Sequence, residues 1–228
     1  RLVYPFQSAI KRNTGIKYEK FRSAAFDFYK APLATVGDSA AAWAEKQKHF
    51  NADVEFPQWI DEERLVYVKS DYKSIPAFYI KDLQTGVEEK VRTKDISPDN
   101  YFSYRNHRIV YAAYDVDARW GWRDYSELRV LDIFDGVQRT ISKKGKYFAP
   151  DISSDGRQVV AVQVLPDGKC TLHVLDGNSG TLVKAIPNPD ELFYTHPKFY
   201  GKQKIISAVR NKKGEMALGV FDIKDNTT

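Results

Sequence analysis

Aromatic and basic side chains are concentrated in one short segment of the sequence, residues 115–125. The segment reads DVDARWGWRDY, and its candidate binding residues are Arg119, Trp120, Trp122, Arg123 and Tyr125. Indole and phenol rings stack on apolar or planar groups, and guanidinium groups bind carboxylates and aromatic faces. These residue types predict a surface that grips a protein or peptide partner or stacks on a ligand. The alternative is that the two tryptophans pack on a neighbouring part of the same protein.

Residues that often perform catalysis or bind metals are scattered along the chain. The four histidines have no HExxH motif, no second histidine at helical spacing and no carboxylate at ligand spacing; they are His49, His107, His173 and His196. There is no GxSxG nucleophile elbow, glycine-rich phosphate loop or GxGxxG motif. We expect the single cysteine, Cys170, to be a small buried hydrophobe. The sequence therefore predicts no catalytic residue, no metal site and no cofactor.

Four repeats position the aromatic segment. Each repeat ends its third predicted strand with an aspartate, and these are Asp82, Asp132, Asp176 and Asp222. Subtracting these numbers gives spacings of 50, 44 and 46 residues. A period of roughly 40 to 50 residues with four strands per unit is typical of a propeller blade. We expect the four aspartates to accept hydrogen bonds from backbone donors of the turns that follow them.

The third repeat, residues 146–186, shows this pattern most clearly. Its valine-rich segment predicts a second strand over 157–165, and the segments 171–175 and 181–186 predict the third and fourth strands. Turns rich in Asp, Asn, Pro and Gly separate these strands. The fold class is therefore mainly β, a partial β-propeller of about four blades of four-stranded antiparallel sheet, preceded by a small α-helical segment.

The predicted domains are a helical segment at 1–52 and a propeller at 53–228. The predicted blades are about 53–95, 96–145, 146–190 and 191–228. Three amphipathic helices are expected in the helical segment: a short one around residues 6–10, one over 18–29 that Pro32 ends, and one from Asp38 or Ser39 to Phe50. Their aromatic stripes need the propeller or an upstream domain to pack on.

The aromatic segment interrupts the second repeat between its second and third strands, where the other repeats have tight links. In a propeller this connection lies on the same face as the connections between blades. That face usually surrounds the central binding cavity.

Charge and hydropathy exclude two classes of partner. The net charge is +5, and residues 1–50 hold nine basic and four acidic residues, so the repeats are neutral. No basic cluster interleaved with aromatic residues lies in the repeats, so we expect no nucleic-acid binding. No apolar run approaches the ~18 residues of a membrane span. Both ends look cut, so we expect missing upstream and downstream parts of the same polypeptide, and self-association through an open blade edge.

Two segments of the third repeat, ISSDGRQVVAV and LHVLDGNSGTLV, resemble a known family. They are similar to the repeats of TolB-type six-bladed propellers and of the N-terminal propellers of prolyl-oligopeptidase and dipeptidyl-peptidase families. The resemblance covers residues 53–228, with Ser154 where proline is usual. It implies a bacterial extracytoplasmic protein in which the propeller serves as a scaffold, gate or binding platform.

The helical segment resembles the C-terminal end of gluzincin-type zinc-peptidase domains, through Tyr4-Pro5-Phe6, residues 11–15 and Trp43. This implies a peptidase domain before Arg1 and an exported, envelope-associated setting. The function expected is thus a non-catalytic binding or scaffold propeller for a protein or peptide, gating an attached metallopeptidase. The alternative is a glycan-active hydrolase or lyase with carboxylates in the central channel, and the sequence contains no such cluster.

Overall fold

The computed structural model describes residues 5–33, 52–120 and 124–224, and the structural statements that follow concern those residues. The chain divides into two compact units, residues 1–46 and 47–228. Within the described ranges, no helix is long and apolar enough to cross a bilayer.

The first unit contains two helices, α1 (Pro5–Thr14) and α2 (Tyr18–Leu33). Gly15 separates them with a φ of +72°, a left-handed conformation that glycine adopts without steric cost. The rings of Phe6 and Tyr18 meet edge to face at 6.0 Å. Both predicted helices are confirmed, although α2 runs one residue past Pro32. The helix predicted from Asp38 or Ser39 lies outside the described residues.

The second unit is built from antiparallel strands in four sheets, numbered 1 to 4 in chain order. Sheet 1 contains β1 (Ala52–Trp59), β2 (Arg64–Asp71), β3 (Ala77–Asp82) and β4 (Glu88–Thr93). Sheet 2 contains β5 (Ser103–Arg105), β6 (Arg108–Val116), β7 (Asp124–Asp132) and β8 (Gln138–Thr140). Sheet 3 contains β9 (Tyr147–Ile152), β10 (Gln158–Val164), β11 (Cys170–Asp176) and β12 (Leu182–Ile186). Sheet 4 contains β13 (Phe193–Tyr200), β14 (Lys204–Arg210) and β15 (Met216–Asp222).

Each sheet is a meander in which strands pair in sequence order, as the repeats predict. The aspartate that ends each third strand accepts a backbone hydrogen bond from the turn after it. The bonds are Thr85 N to Asp82 at 2.7 Å, Phe134 N to Asp132 at 2.9 Å, Ser179 N to Asp176 at 2.7 Å and Lys224 N to Asp222 at 2.8 Å. These local bonds satisfy donors that would otherwise lack partners and fix where the next strand begins.

The core lies between neighbouring sheets. Branched and aromatic side chains of one sheet pack on those of the next, in three clusters centred on Phe78 with Phe102, on Leu128 with Val159, and on Leu172 with Ile205. Each central residue is fully shielded from solvent. Because every cluster spans two sheets, the sheets stabilise each other and none forms a core alone.

Candidate functional site

Each sheet places one polar residue at the same position of its first strand. These residues are Gln58, Ser103, Asp151 and Lys198, and they pair across to Val66, Val110, Val160 and Ile206 of the second strands. Side chains directly opposite in an antiparallel ladder lie on the same face of the sheet. We call these four polar residues the relay positions.

The backbone is distorted two residues before three of the relay positions. Phe56, Ala149 and His196 have φ values of 53°, 44° and 48°, and a proline follows each of them. The ladder shifts register at the same three places. Proline has no N–H to give to a ladder, and a bulge accommodates it while redirecting the adjacent side chains.

The relay positions join the first strands of successive sheets. Gln58 accepts a hydrogen bond from Tyr104 N at 2.9 Å, and its amide donates to Phe102 O at 2.8 Å. In the same way Asp151 Oδ2 accepts from Phe199 N at 2.9 Å. The first strands are therefore held together by side-chain bonds to the main chain, where no ladder connects them.

Asp151 is the most heavily bonded of these residues. It is buried, and its Oδ1 accepts from Ser103 Oγ at 2.7 Å and from Lys198 Nζ at 3.0 Å. Lys198 also donates to the hydroxyl of Tyr101. Burial opposes the charge of Lys198, but the Asp151 carboxylate outweighs it, so the pKa of Lys198 is above its usual value. The pKa of Tyr101 is also raised, mainly by burial.

Three rings form a row above this ion pair. Tyr101 meets Phe56 edge to face with ring centroids 5.6 Å apart, and it meets the His196 ring in the same manner at 5.2 Å. Ala149 occupies the corresponding position in sheet 3, two residues before Asp151. Phe56 and His196 are both exposed, so the row presents aromatic edges to solvent.

A buried cation, Lys94, fixes the connection between sheets 1 and 2. Lys94 is buried, donates to Asp99 O at 2.8 Å, and lies 5.2 Å from the centre of the Tyr111 ring. Burial lowers the pKa of Lys94 to about 8, although Asp99 and Asp95 partly offset this. With one bonded carbonyl and one ring face, Lys94 holds the connection in place.

The loop within the aromatic segment 115–125 is shorter than predicted. Asp115 pairs with Tyr125 and Val116 pairs with Asp124, so the ladder of β6 and β7 takes in both ends of the segment. The connection between the two strands is residues 117–123, and residues 121–123, including Trp122 and Arg123, lie outside the described residues. The hairpin extends because the backbone of residues 115–116 and 124–125 continues the antiparallel ladder.

The described part of this connection is exposed. Asp117 Oδ1 accepts from the N–H groups of Arg119 at 2.8 Å and Trp120 at 3.2 Å, which turns the chain. The Trp120 side chain is 65% exposed, Arg119 is exposed, and Tyr125 is half-buried within β7. Trp120 therefore does not pack on a neighbouring sheet.

The connection lies at the face that its topology predicts. Tyr114 N donates to Ile96 O in the link between sheets 1 and 2, and Ser126 N donates to Gly145 O in the link between sheets 2 and 3. The relay positions lie nearer the opposite ends of the strands, since Ser103 is next to the turn between β5 and β6. The structure therefore does not bring the predicted site and the relay positions together.

The described residues contain no group of three His, Cys, Asp or Glu side chains placed to hold a metal ion. Cys170 is buried at the start of β11, and burial raises the pKa of its thiol. His173 contacts Tyr147 Oη at 3.1 Å, and burial lowers the pKa of His173. Glu127 has a raised pKa, first through burial and then through the nearby Asp115 carboxylate. That carboxyl pair lies on β6 and β7, away from the first strands.

Neither the relay positions nor the aromatic row was predicted from the sequence. A usable sequence signal is present in three first strands, where a proline is followed by a polar residue. In the structure the residue before each of these prolines has a positive φ. The triplets are Phe56-Pro57-Gln58, Ala149-Pro150-Asp151 and His196-Pro197-Lys198. Sheet 2 has Tyr101-Phe102-Ser103 at this position, which hides the repeat from a search for proline.

Comparison with known proteins identifies the architecture. No family model and no curated protein matches the sequence. Among solved structures, TolB from Acinetobacter baumannii superimposes with a TM-score of 0.58 at 16% identity, covering 77% of this chain and 42% of that one. The four sheets are blades of a β-propeller. The predicted fold class is thereby confirmed, with three described strands in the fourth blade.

Two further propeller-containing structures give the same result. Putative TolB from Agrobacterium tumefaciens has a TM-score of 0.56 at 13% identity, covering 77% of this chain and 66% of that one. A structure of prolyl endopeptidases has a TM-score of 0.54 at 10% identity, covering 82% of this chain and 28% of that one. This chain thus spans less than two thirds of each of the three. Identities this low show the fold alone, and none of these matches supports the zinc-peptidase resemblance of the helical segment.

Proposed function

We propose that this propeller is a non-catalytic binding module that holds a protein or peptide partner. The proposal rests on the exposed Trp120 with Arg119 beside it, on the face where the links between sheets run. A tryptophan left in water has a large apolar surface to bury on binding, and an adjacent guanidinium adds directional bonds to carboxylates and carbonyls. Tryptophan and arginine are also the residue types that contribute most at protein interfaces.

The polar groups of the first strands favour binding over catalysis. A catalytic carboxylate needs a free oxygen for its proton or its substrate. Asp151 instead has both oxygens bonded to the protein, with donors from Ser103, Lys198 and Phe199. The glycan-active alternative needs two carboxyl groups about 5 to 9.5 Å apart across a substrate site. Among the described residues of the first strands, no such pair faces the aromatic row.

The setting we propose is extracytoplasmic and bacterial, because the repeats resemble those of TolB-type propellers.

Binding is tested with a displayed library of random peptides selected against the 228-residue chain. Peptides that bind are measured by fluorescence titration against the wild type and against Trp120→Ala and Arg119→Ala. We expect each substitution to weaken binding by about tenfold or more. The matched control is Phe134→Ala, which removes an exposed ring from the opposite end of the same sheet. Peptides that bind all four proteins equally would contradict the proposal, as would release of reducing sugar from a glycan panel.

A further inference from the structure

Sheets 2, 3 and 4 meet near their first strands at an ion pair whose cation has an unused hydrogen-bond donor. Lys198 donates to Asp151 Oδ1 at 3.0 Å and to the Tyr101 hydroxyl, which accounts for two of the three N–H groups of its ammonium. The Lys198 side chain is 46% exposed. Its third N–H is therefore open to a ligand.

Tyr101 has an unused donor beside this ammonium. Its hydroxyl accepts a hydrogen bond from Lys198, and within the described ranges its own O–H group donates to no acceptor. Burial raises the pKa of Tyr101, so the hydroxyl keeps its proton in neutral solution. A buried donor without an acceptor costs free energy, which an oxygen atom of a ligand would recover.

Two exposed rings contact Tyr101 and complete the arrangement. Phe56, which is 41% exposed, supplies an apolar surface. The exposed His196 ring meets Tyr101 edge to face, makes no hydrogen bond to any described residue, and can donate through a ring nitrogen. The bulge that carries both rings also occurs at Ala149, so the bulge belongs to the fold, whereas the rings and the free donors are particular to this place.

We propose that Lys198, Tyr101 and His196 bind a carboxylate whose apolar neighbour packs on Phe56. The two oxygens of a carboxylate accept several hydrogen bonds, so they match donors from an ammonium, a phenol and an imidazole. The nearby Asp151 carboxylate opposes this only weakly, because protein donors hold both of its oxygens and Lys198 balances its charge. An amide of the same shape has one acceptor oxygen and turns an NH₂ group toward donors. The site therefore selects an acid over its amide.

Two kinds of peptide carry this chemistry. One ends in a free carboxylate after an apolar residue, and the other has an acidic side chain next to an apolar residue. The site does not include Trp120, on which the proposed function rests, so neither proposal depends on the other.

The test is titration of the 228-residue chain with phenylacetate and with phenylacetamide, its neutral isostere, followed by the NMR shifts of backbone amides. We expect phenylacetate to shift the amides of Tyr101 and His196 with a dissociation constant of about 1 to 10 mM, as a ligand of this size allows. Tyr101→Phe removes the hydroxyl and keeps the ring, so it should weaken phenylacetate binding by about tenfold. The matched control is Tyr72→Phe, which removes the hydroxyl of an 89% exposed ring and should bind like the wild type.

Three dipeptides distinguish the two sources of the carboxylate. An alanine–phenylalanine dipeptide with a free C-terminus represents the chain terminus, its amidated form is the control, and an amidated aspartate–phenylalanine dipeptide represents the acidic side chain. Preference for either acid over the control supports the proposal and identifies the source.

Equal binding of phenylacetate and phenylacetamide would overturn the proposal, because the donors would then not recognise the charge. Phenylacetate that shifts no amide of the first strands, or that binds Tyr101→Phe as tightly as the wild type, would overturn it too. Circular dichroism checks that each variant folds. If Tyr101→Phe unfolds, His196→Phe replaces it, since sheet 1 already has phenylalanine at the equivalent position, Phe56.

Discussion

Asp151 combines deep burial with a full set of hydrogen-bond donors. Its two oxygens receive Ser103 Oγ, Lys198 Nζ and Phe199 N from two different neighbouring sheets. A buried carboxylate is tolerated only when its charge is paired and its lone pairs are bonded. One side chain thus joins sheets 2, 3 and 4 at the level of their first strands.

Replacing Asp151 with asparagine should therefore be costly. The new amide would keep one acceptor oxygen, lose the charge that pairs with Lys198, and turn an NH₂ group toward donors. We expect Asp151→Asn to lower the free energy of unfolding by about 2 to 4 kcal/mol, measured by urea denaturation. Asp167→Asn is the matched control, because Asp167 caps an exposed turn of the same sheet and asparagine can replace it. A loss below about 0.5 kcal/mol at Asp151 would show that the relay bonds contribute little to stability.

The roles of single residues were predicted well only where they depend on near neighbours in sequence. Cys170 is buried at the start of a strand and His173 lies mid-strand, as their surroundings indicate. The turn aspartates bond within three residues, which is also local. Tyr101 and Lys198 are 97 positions apart in sequence and meet only because sheets 2 and 4 approach each other. No pattern within one repeat contains that information.

At the scale of elements, three equivalent turns end with glycine at positive φ. Gly86, Gly136 and Gly180 have φ values of 72°, 66° and 71°, and each follows a third strand. The three glycines differ in how much space a Cβ atom would have. A Cβ on Gly180 would lie 1.5 Å from Ile141 O, whereas a Cβ on Gly136 would meet nothing within 4 Å. The turn of sheet 3 is therefore pressed against the backbone that leaves sheet 2.

Alanine substitutions at Gly136 and Gly180 should separate the cost of backbone strain at positive φ from the cost of a clash with Ile141. Gly136→Ala should cost about 1 kcal/mol, because alanine is strained at positive φ without a clash. Gly180→Ala should cost at least about 3 kcal/mol, since the backbone of either sheet must move to admit the methyl group. Thermal and urea unfolding of both variants measure the difference. Equal losses would mean that the contact between the turn and Ile141 is easily displaced.

Second, third and fourth strands were predicted closely because each is a β-rich run between turn residues. The second strand predicted over 157–165 is β10, Gln158–Val164, and the third strand predicted over 171–175 is β11, Cys170–Asp176. The segment 115–125 was predicted to be a loop because it lies where the other repeats have tight links, yet its ends pair as strand. The first strands were harder, since their bulges interrupt the period of two on which such predictions depend.

At the scale of the whole molecule, each apolar cluster joins two successive sheets, and sheets 2 and 4 also meet near their first strands through Tyr101 and Lys198. Stability in such an array is approximately a sum of terms for each unit and each junction. Sheet 3 has a junction on both sides, through clusters around Val159 and Leu172. Sheet 4 has one junction, and its other face exposes Leu218 and Val220. The row should therefore be least stable at sheet 4.

Hydrogen exchange of backbone amides measures this gradient. In dilute solution, amides of β14 (Lys204–Arg210) and β15 (Met216–Asp222) should exchange with an opening free energy at least about 1 kcal/mol below that of β10 (Gln158–Val164). Equal exchange in sheets 3 and 4 would instead require the sheets to open as one cooperative unit, in which the exposed face of sheet 4 has no energetic consequence.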